Sequence, residues 1–100
     1  MEYSSETRGD RYVVTIGGVL TFDDYDAFRQ VIAEIVACTP DTVELSLTGA
    51  KMIDSAGIGM LLLANDKAGK AGKTLRLSGL KGHVAKVVEL ARIDQLIQID

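Results

Sequence analysis

The chain has 100 residues, of which 47% are hydrophobic and 25% charged, and its formal net charge is -3. This composition is typical of one globular domain and excludes a disordered chain, a collagen-like repeat and a coiled-coil rod. The mild acidity argues against direct nucleic-acid binding, because phosphate binding needs a clustered basic face. One cysteine and one histidine cannot form an internal disulfide or a structural zinc site, so no metal or other cofactor is expected.

No segment of the sequence has the features of a membrane span or a secretory signal. The longest apolar stretch, Ile58–Ala64, is too short to cross a bilayer and is interrupted by Gly59. The first six residues lack a basic region and an apolar core. Cys38 is interpreted as a small core residue without a redox role, and a lone thiol fits a reducing compartment. These features predict a cytoplasmic protein without membrane insertion.

The first elements are predicted to be a hairpin. Tyr12–Ile16 is rich in β-branched residues and predicts a strand that ends in a turn at Gly17–Gly18. Tyr3–Thr7 is expected to be an edge strand, joined to it through the turn Gly9–Asp10.

A first amphipathic helix is predicted to follow the hairpin. It is expected to begin near Asp23 and Asp24, which suit the positive end of the helix dipole, and to stop near Cys38, ahead of Pro40. The apolar residues at helical spacing are Phe28, Val31, Ile32, Ile35 and Val36.

The second half of the chain predicts further alternation of strands and helices. Val43–Leu47 and Thr74–Ser78 alternate as half-buried strands, and a helix is expected between them from about Ser55 to Lys70. Leu96–Ile99 is predicted to be a short last strand. The third helix carries one apolar stripe, formed by Val84, Val87, Val88 and Ala91. This order predicts an α/β domain, over residues 1–100, with parallel strands joined by right-handed crossovers.

The segment Asp54–Gly59 opens the second helix and is the most unusual part of the sequence. Ser55 is interpreted as the N-cap, because its hydroxyl can accept a first-turn N–H. Gly57 and Gly59 are poor helix formers. They either permit close packing of the helix on the sheet or leave a bare surface for another chain.

The same helix has apolar residues around its whole circumference. With Ile58 and Leu61 facing the core, Met60 and Leu63 fall on the side that a surface helix normally keeps polar. Two interpretations remain open: an exposed apolar patch beside Ser55, or packing of Met60 and Leu63 against a neighbouring helix.

The order of elements and the segment Asp54-Ser55-Ala56-Gly57-Ile58-Gly59 resemble the STAS domain, in particular the small stand-alone anti-sigma factor antagonists of bacteria. The resemblance covers Tyr12 to Asp100. It implies a mixed, mostly parallel sheet of four to five strands with three to four helices mainly on one face. It also implies that Ser55 is phosphorylated by a serine kinase that is itself the anti-sigma factor, and that a PP2C-type phosphatase reverses the modification.

The resemblance further implies a partner-binding surface around Ser55. A phosphate there would weaken partner binding without unfolding the domain, because a helix N-terminus tolerates an anion. A weak homodimer is left open. The expected partner-binding residues are Phe22, Asp23, Asp24, Asp54, Ser55, Ala56, Gly57, Ile58, Gly59, Met60 and Leu63.

A different STAS role is the alternative: an interaction subunit of a lipid-transport complex or a response-regulator pathway, in which Ser55 touches a partner helix without being phosphorylated. An enzyme is disfavoured because Ser55 lacks the glycine of a nucleophile elbow, and His83 lies on a helix flank.

Two further motifs are interpreted as structural. Gly69–Thr74 lacks the first glycine of a Walker A motif, since Lys67 occupies that place, and is expected to be a solvated turn. Asp23, Asp24 and Asp26 lack the terminal glutamate of an EF-hand and are interpreted as helix-start acids.

Overall fold

Five strands form one sheet in the computed structural model, which describes residues 1–100. β1 pairs antiparallel with β2, and β2, β3, β4 and β5 are parallel neighbours in that order. The strands are β1 Glu2–Arg8, β2 Arg11–Leu20, β3 Thr42–Ile53, β4 Thr74–Ser78 and β5 Gln98–Ile99. The helices are α1 Tyr25–Ala37, α2 Ser55–Lys70 and α3 Gly82–Leu90, with 3₁₀ turns at Phe22–Asp24 and Ile93–Gln95. The predicted α/β architecture with a mixed, mostly parallel sheet is confirmed.

All three helices cover the same face of the sheet. Alternate strand residues such as Leu45 and Leu77 join one core of 22 buried residues, to which Phe28, Leu61 and Val84 contribute from the three helices. Residues facing the other way bond to one another instead of to a helix, since Arg11 Nη1 donates to Glu44 Oε1 at 3.0 Å and Ser78 Oγ to Glu44 Oε2 at 2.7 Å. The strand period of two therefore separates an apolar helical side from a polar open side.

The expected turn at Gly17–Gly18 is wrong, because β2 continues through both glycines to Leu20. The β2–β3 register shifts twice in this region, and Gly18 has a φ of +77°. The glycines therefore lie in a β-bulge, and β2 remains paired with β3 on both sides of it. β3 also continues beyond its predicted end at Leu47, to Ile53. Leu20 and Ile53 end up opposite each other in the register. The two strand ends thus bring the Phe22–Asp24 turn beside the start of α2.

The helix predictions hold at most positions. α1 ends at Ala37 with Cys38 as its C-cap, as expected, but Val36 is 43% exposed and lies off the buried stripe. Ala91 is exposed just beyond the end of α3.

The segment after α2 differs from the solvated turn that was expected. Lys73 Nζ donates to the carbonyl oxygens of Cys38 and Pro40, at 2.6 and 2.9 Å. This lysine consequently stabilises the loop that follows α1, whereas the neighbouring residues 69–72 are exposed.

Candidate functional site

One carboxylate, that of Asp54, holds the start of α2 against the turn that follows β2. Its Oδ1 accepts the Gly57 N–H at 2.7 Å, and its Oδ2 accepts the Phe22 N–H at 3.3 Å. The Asp54 N–H in turn donates to the Leu20 carbonyl at 3.2 Å. Asp54 is thus the N-cap of α2, and the prediction that Ser55 is the cap is wrong. The physical reason is that Asp54 has the extended backbone of a cap residue, whereas Ser55 is already helical.

Ser55 is left without a structural hydrogen bond. Its side chain is exposed, and its hydroxyl makes no hydrogen bond within the chain. Because Asp54 takes the N–H of Gly57, the N–H groups of Ser55 and Ala56 remain without an acceptor at the positive end of the helix dipole. An exposed hydroxyl beside two free donors is chemically suited to carry an anionic modification.

The two glycines of the first turns have different roles. Gly57 is buried, and a Cβ there would lie 2.5 Å from Ile53 Cγ1 and 2.6 Å from the Leu20 carbonyl oxygen. Gly57 therefore permits close packing of α2 on the strand ends and offers no bare surface. Gly59 is exposed, and a Cβ there would have no atom within 4 Å, so this glycine does keep the helix surface open.

An apolar groove of about 280 Å³ lies between α2 and the start of α1; we call it the α1 groove. Phe22, at its rim, is 74% exposed, whereas Met60 is only 3% exposed. The interpretation of Met60 as part of an exposed patch is wrong, because α1 packs on that side of α2, and Leu63 is half-buried there. The lining residues are Phe22, Tyr25, Ala56, Gly59, Met60 and Leu63.

A second groove, of about 460 Å³, lies on the other side of α2 and is called the α3 groove. Ser55 and Ile58 line it from α2, and Leu90, which is 77% exposed, lines it from α3. Sequence reasoning missed the contribution of α3. The one signal for it was Leu90, a large apolar residue outside the apolar stripe of that helix. Ser55 therefore lines the α3 groove, and the next residue of the helix, Ala56, lines the α1 groove.

The Phe22–Asp24 turn and the first turn of α2 form one corner of the molecule. Some acidic residues at this corner accept hydrogen bonds from the chain, and others accept none. Asp24 Oδ2 accepts the Thr21 N–H at 2.9 Å, and this bond is the main reason why the pKa of the Asp24 carboxyl is lowered. Asp24 and Asp54 thus both hold the turn in place. The Asp23 carboxylate is exposed and receives no hydrogen bond from the chain. It is the acid that a partner could reach without breaking an internal bond.

The structure shows no second candidate site formed by the histidine or by a cluster of metal-binding side chains. His83 is exposed on α3 and lines neither groove. No three His, Cys, Asp or Glu side chains come close enough together to hold a metal ion. None of the helices has the length and hydropathy needed to cross a bilayer.

The fold and this corner together define a class: a small α/β domain whose helical face presents the N-terminus of one helix beside apolar grooves. The family model described as "Mlab, STAS domain" matches residues 4–98. A STAS-domain containing protein of Pseudomonas aeruginosa (strain UCBPP-PA14) is 32% identical over 91 residues, covering 91% of this chain and 89% of that protein. The chain belongs to the STAS domain family.

Solved structures agree with this fold. The crystal structure of an anti-sigma factor antagonist from Mycobacterium paratuberculosis superposes with a TM-score of 0.86 at 19% identity, covering 98% of this chain and 83% of that one. The anti-sigma factor antagonist SpoIIAA in its unphosphorylated form gives a TM-score of 0.71 at 15% identity, covering 99% and 87%. At these identities the likeness is one of fold.

Proposed function

We propose that this chain is an anti-sigma factor antagonist that acts in the cytoplasm. Its unphosphorylated form binds an anti-sigma factor that is also a serine kinase, phosphorylation of Ser55 weakens that complex, and a PP2C-type phosphatase restores it. The observation that carries the proposal is the exposed Ser55 hydroxyl, free of internal bonds, beside the two apolar grooves. No catalytic role is assigned to the chain itself.

The proposed partner surface combines the exposed turn after β2 with the first turns of α2. Phe22 and the α1 groove offer apolar area that a partner side chain can cover, and Asp23 offers an unbonded carboxylate at the rim. The α3 groove adds Ile58 and Leu90 on the other side of Ser55. The proposed partner-binding residues are those predicted from the sequence. Two of them are buried and contribute indirectly: Gly57 lets α2 pack closely on the strand ends, and Met60 forms the floor of the α1 groove.

A phosphate on Ser55 would act on binding and leave the fold intact. It adds roughly -1.5 to -2 charge, and the free N–H groups of Ser55 and Ala56 can donate hydrogen bonds to its oxygens. A partner that covers the site must strip water from this dianion while placing it against apolar groove walls and beside the Asp54 carboxylate. A loss of about 3–4 kcal/mol in binding corresponds to a complex weakened by roughly two to three orders of magnitude.

The test uses an anti-sigma factor with serine kinase activity from the same genome, titrated calorimetrically with purified chain. Ser55→Ala should bind within about twofold of wild type, and Ser55→Asp should bind at least tenfold more weakly, because only the second adds charge at the site. Thr39→Asp, which adds the same charge at an exposed position after α1, is the matched control and should bind like wild type.

The covalent part of the proposal has its own readout. Incubation with the kinase and ATP should add about 80 Da to the intact mass of wild type and nothing to Ser55→Ala. Equal affinity of wild type, Ser55→Ala and Ser55→Asp, or a mass increase that persists in Ser55→Ala, would contradict the phosphorylation switch.

A second candidate function is compatible with the family model match, which specifies the STAS domain over residues 4–98. In it the chain is an interaction subunit of another assembly, such as a lipid-transport complex or a response-regulator pathway, and Ser55 contacts a partner helix without being phosphorylated. Purification of the tagged chain from its native cells separates the two. Transporter or response-regulator components together with unmodified Ser55 favour the second candidate, and a kinase together with phosphorylated chain favours the first.

A further inference from the structure

The sheet has one long open edge, which is β1. β1 has seven residues, and all of them except Tyr3 are exposed, whereas the opposite edge strand, β5, has only two residues. An unpaired strand presents a row of free N–H and C=O groups that can pair with another strand. No helix of this chain is interposed between that edge and solvent, since the three helices lie on the face of the sheet.

The hairpin turn determines which backbone groups of β1 point outward. Arg8 and Arg11 lie opposite each other across the two-residue turn Gly9–Asp10, where Gly9 has a φ of +59°. In such a hairpin the two flanking residues bond to each other, and bonded positions then recur at every second residue. Glu2, Ser4, Glu6 and Arg8 consequently direct their backbone groups to β2, and Tyr3, Ser5 and Thr7 direct theirs away from the sheet.

We infer that β1 is an interface for a second copy of this chain, which pairs with it antiparallel about a two-fold axis at Ser5. Only the residues with outward backbone groups can exchange hydrogen bonds, so odd-numbered positions must face odd-numbered positions. Centring the pair on Ser5 satisfies this condition and is the register that uses all seven residues. Tyr3 then faces Thr7 of the second copy, and the two sheets become one sheet of ten strands.

The charges at the two ends of β1 favour this occupant. In the Ser5-centred register, Glu2 lies directly opposite Arg8 of the second copy, and the two-fold axis repeats the pair. A parallel arrangement in register would instead place Glu2 beside Glu2 and Arg8 beside Arg8. Both side chains are exposed and belong to the open face of the sheet, and Arg8, although it already binds Glu6 at 2.7 Å, has further N–H donors available.

The pairing uses different residues from the corner around Ser55, although the amino group of Met1, just before β1, donates to Asp24 Oδ1 at 3.0 Å at the edge of that corner. That corner lies on the helical side, beyond the ends of β2 and β3, whereas the interface is the lateral edge formed by β1. The inference is therefore independent of the proposed function, and dimer formation and partner binding can be measured separately.

Sedimentation equilibrium of the full chain, up to a concentration of about 1 mM, tests the pairing. Wild type should shift towards twice the monomer mass with concentration, and Ser5→Pro should remain monomeric, because proline removes one outward N–H and obstructs the edge. Proline is tolerated on an edge strand where its missing N–H faces solvent, so Ser5→Pro should keep the wild-type circular dichroism spectrum. Its matched control, Ser4→Pro, removes an N–H that faces β2 and should lower the melting temperature.

Charge exchange tests the register. Arg8→Glu should raise the dimer Kd at least tenfold, because it places Glu2 opposite a glutamate, and the double variant Glu2→Arg/Arg8→Glu should return the Kd to within about threefold of wild type. Lys86→Glu, the same charge change on the exposed face of α3, should leave the Kd unchanged. A wild-type chain that stays monomeric at about 1 mM, a folded Ser5→Pro variant that still dimerises, or a double variant that fails to recover would each overturn the inference.

Discussion

Replacing Gly57 by alanine introduces one methyl group at the tightest point between α2 and the strand ends. The new Cβ would lie 2.5 Å from Ile53 Cγ1 and 2.6 Å from the Leu20 carbonyl oxygen. Neither neighbour can easily move away. Ile53 is buried in the core, and the Leu20 carbonyl also accepts the Asp54 N–H at 3.2 Å. Relief therefore requires α2 to shift away from the sheet.

The expected cost follows from two opposing effects. Overpacking a well-packed core by a methyl group destabilises by about 1–3 kcal/mol. Alanine is a better helix former than glycine by about 0.8–1.0 kcal/mol in a helix interior, and by less in a first turn, which offsets part of that cost. The net destabilisation of Gly57→Ala is about 1–2 kcal/mol, which lowers the melting temperature by roughly 4–16 °C in a domain of this size.

Gly59→Ala is the matched control, because it makes the same chemical change two residues later in the same helix. No atom lies within 4 Å of a Cβ at Gly59, so only the gain in helix propensity remains, about 0.5–1 kcal/mol of stabilisation. Urea unfolding of the three proteins by circular dichroism measures both effects. The packing argument is refuted if Gly57→Ala unfolds at the same urea concentration as Gly59→Ala.

Two further predictions concern the carboxylates of this corner. Asp54→Ala should lower the free energy of unfolding by about 0.5–2 kcal/mol, because it removes the N-cap bond to Gly57. Ser55→Ala should stay within about 0.5 kcal/mol of wild type. Urea unfolding measures both variants, and the reverse order of stability would show that Ser55 is the cap. The Thr21 N–H lowers the pKa of folded Asp24, so its stabilisation is present above the unfolded pKa of about 3.9 and is lost as pH falls through the lower folded value. Thermal unfolding from pH 6 to pH 2 should therefore show a shallower acid decline for Asp24→Asn, and identical slopes would contradict that role.

Periodicity predicts the parts of this fold in which the core decides the structure. The alternation in Val43–Leu47 and the apolar stripe of α1 indicate the correct elements, because burial on one face leaves the same period in the sequence. The extent of β2 could not be predicted, because Gly17–Gly18 is typical of a turn and only pairing with β3 keeps it in the strand. Local propensity loses to tertiary pairing at that point.

The site shows the same division. In the segment Asp54–Gly59 the sequence favoured Ser55 as the cap. Its neighbour Asp54 has a similar capping ability, and only the backbone conformation at Asp54 shows which of the two residues precedes the helix. The burial of Met60 depends on where α1 packs against α2, and the pattern within α2 alone contains no information about that neighbour. The same limit explains why the α3 groove was missed.

The unbonded Ser55 hydroxyl separates two kinds of mutational consequence that usually coincide at a binding site. The Asp54 side chain makes the N-cap bond, so substitutions of Asp54 reduce the amount of folded protein. Substitutions of Ser55 remove no internal bond and have little effect on folding. Under the proposed function, a substitution at position 55 therefore changes partner binding and hardly changes the fraction of folded protein, on which the cellular machinery that removes unstable proteins acts. Such a position can be retuned one substitution at a time, without compensating changes elsewhere in the chain.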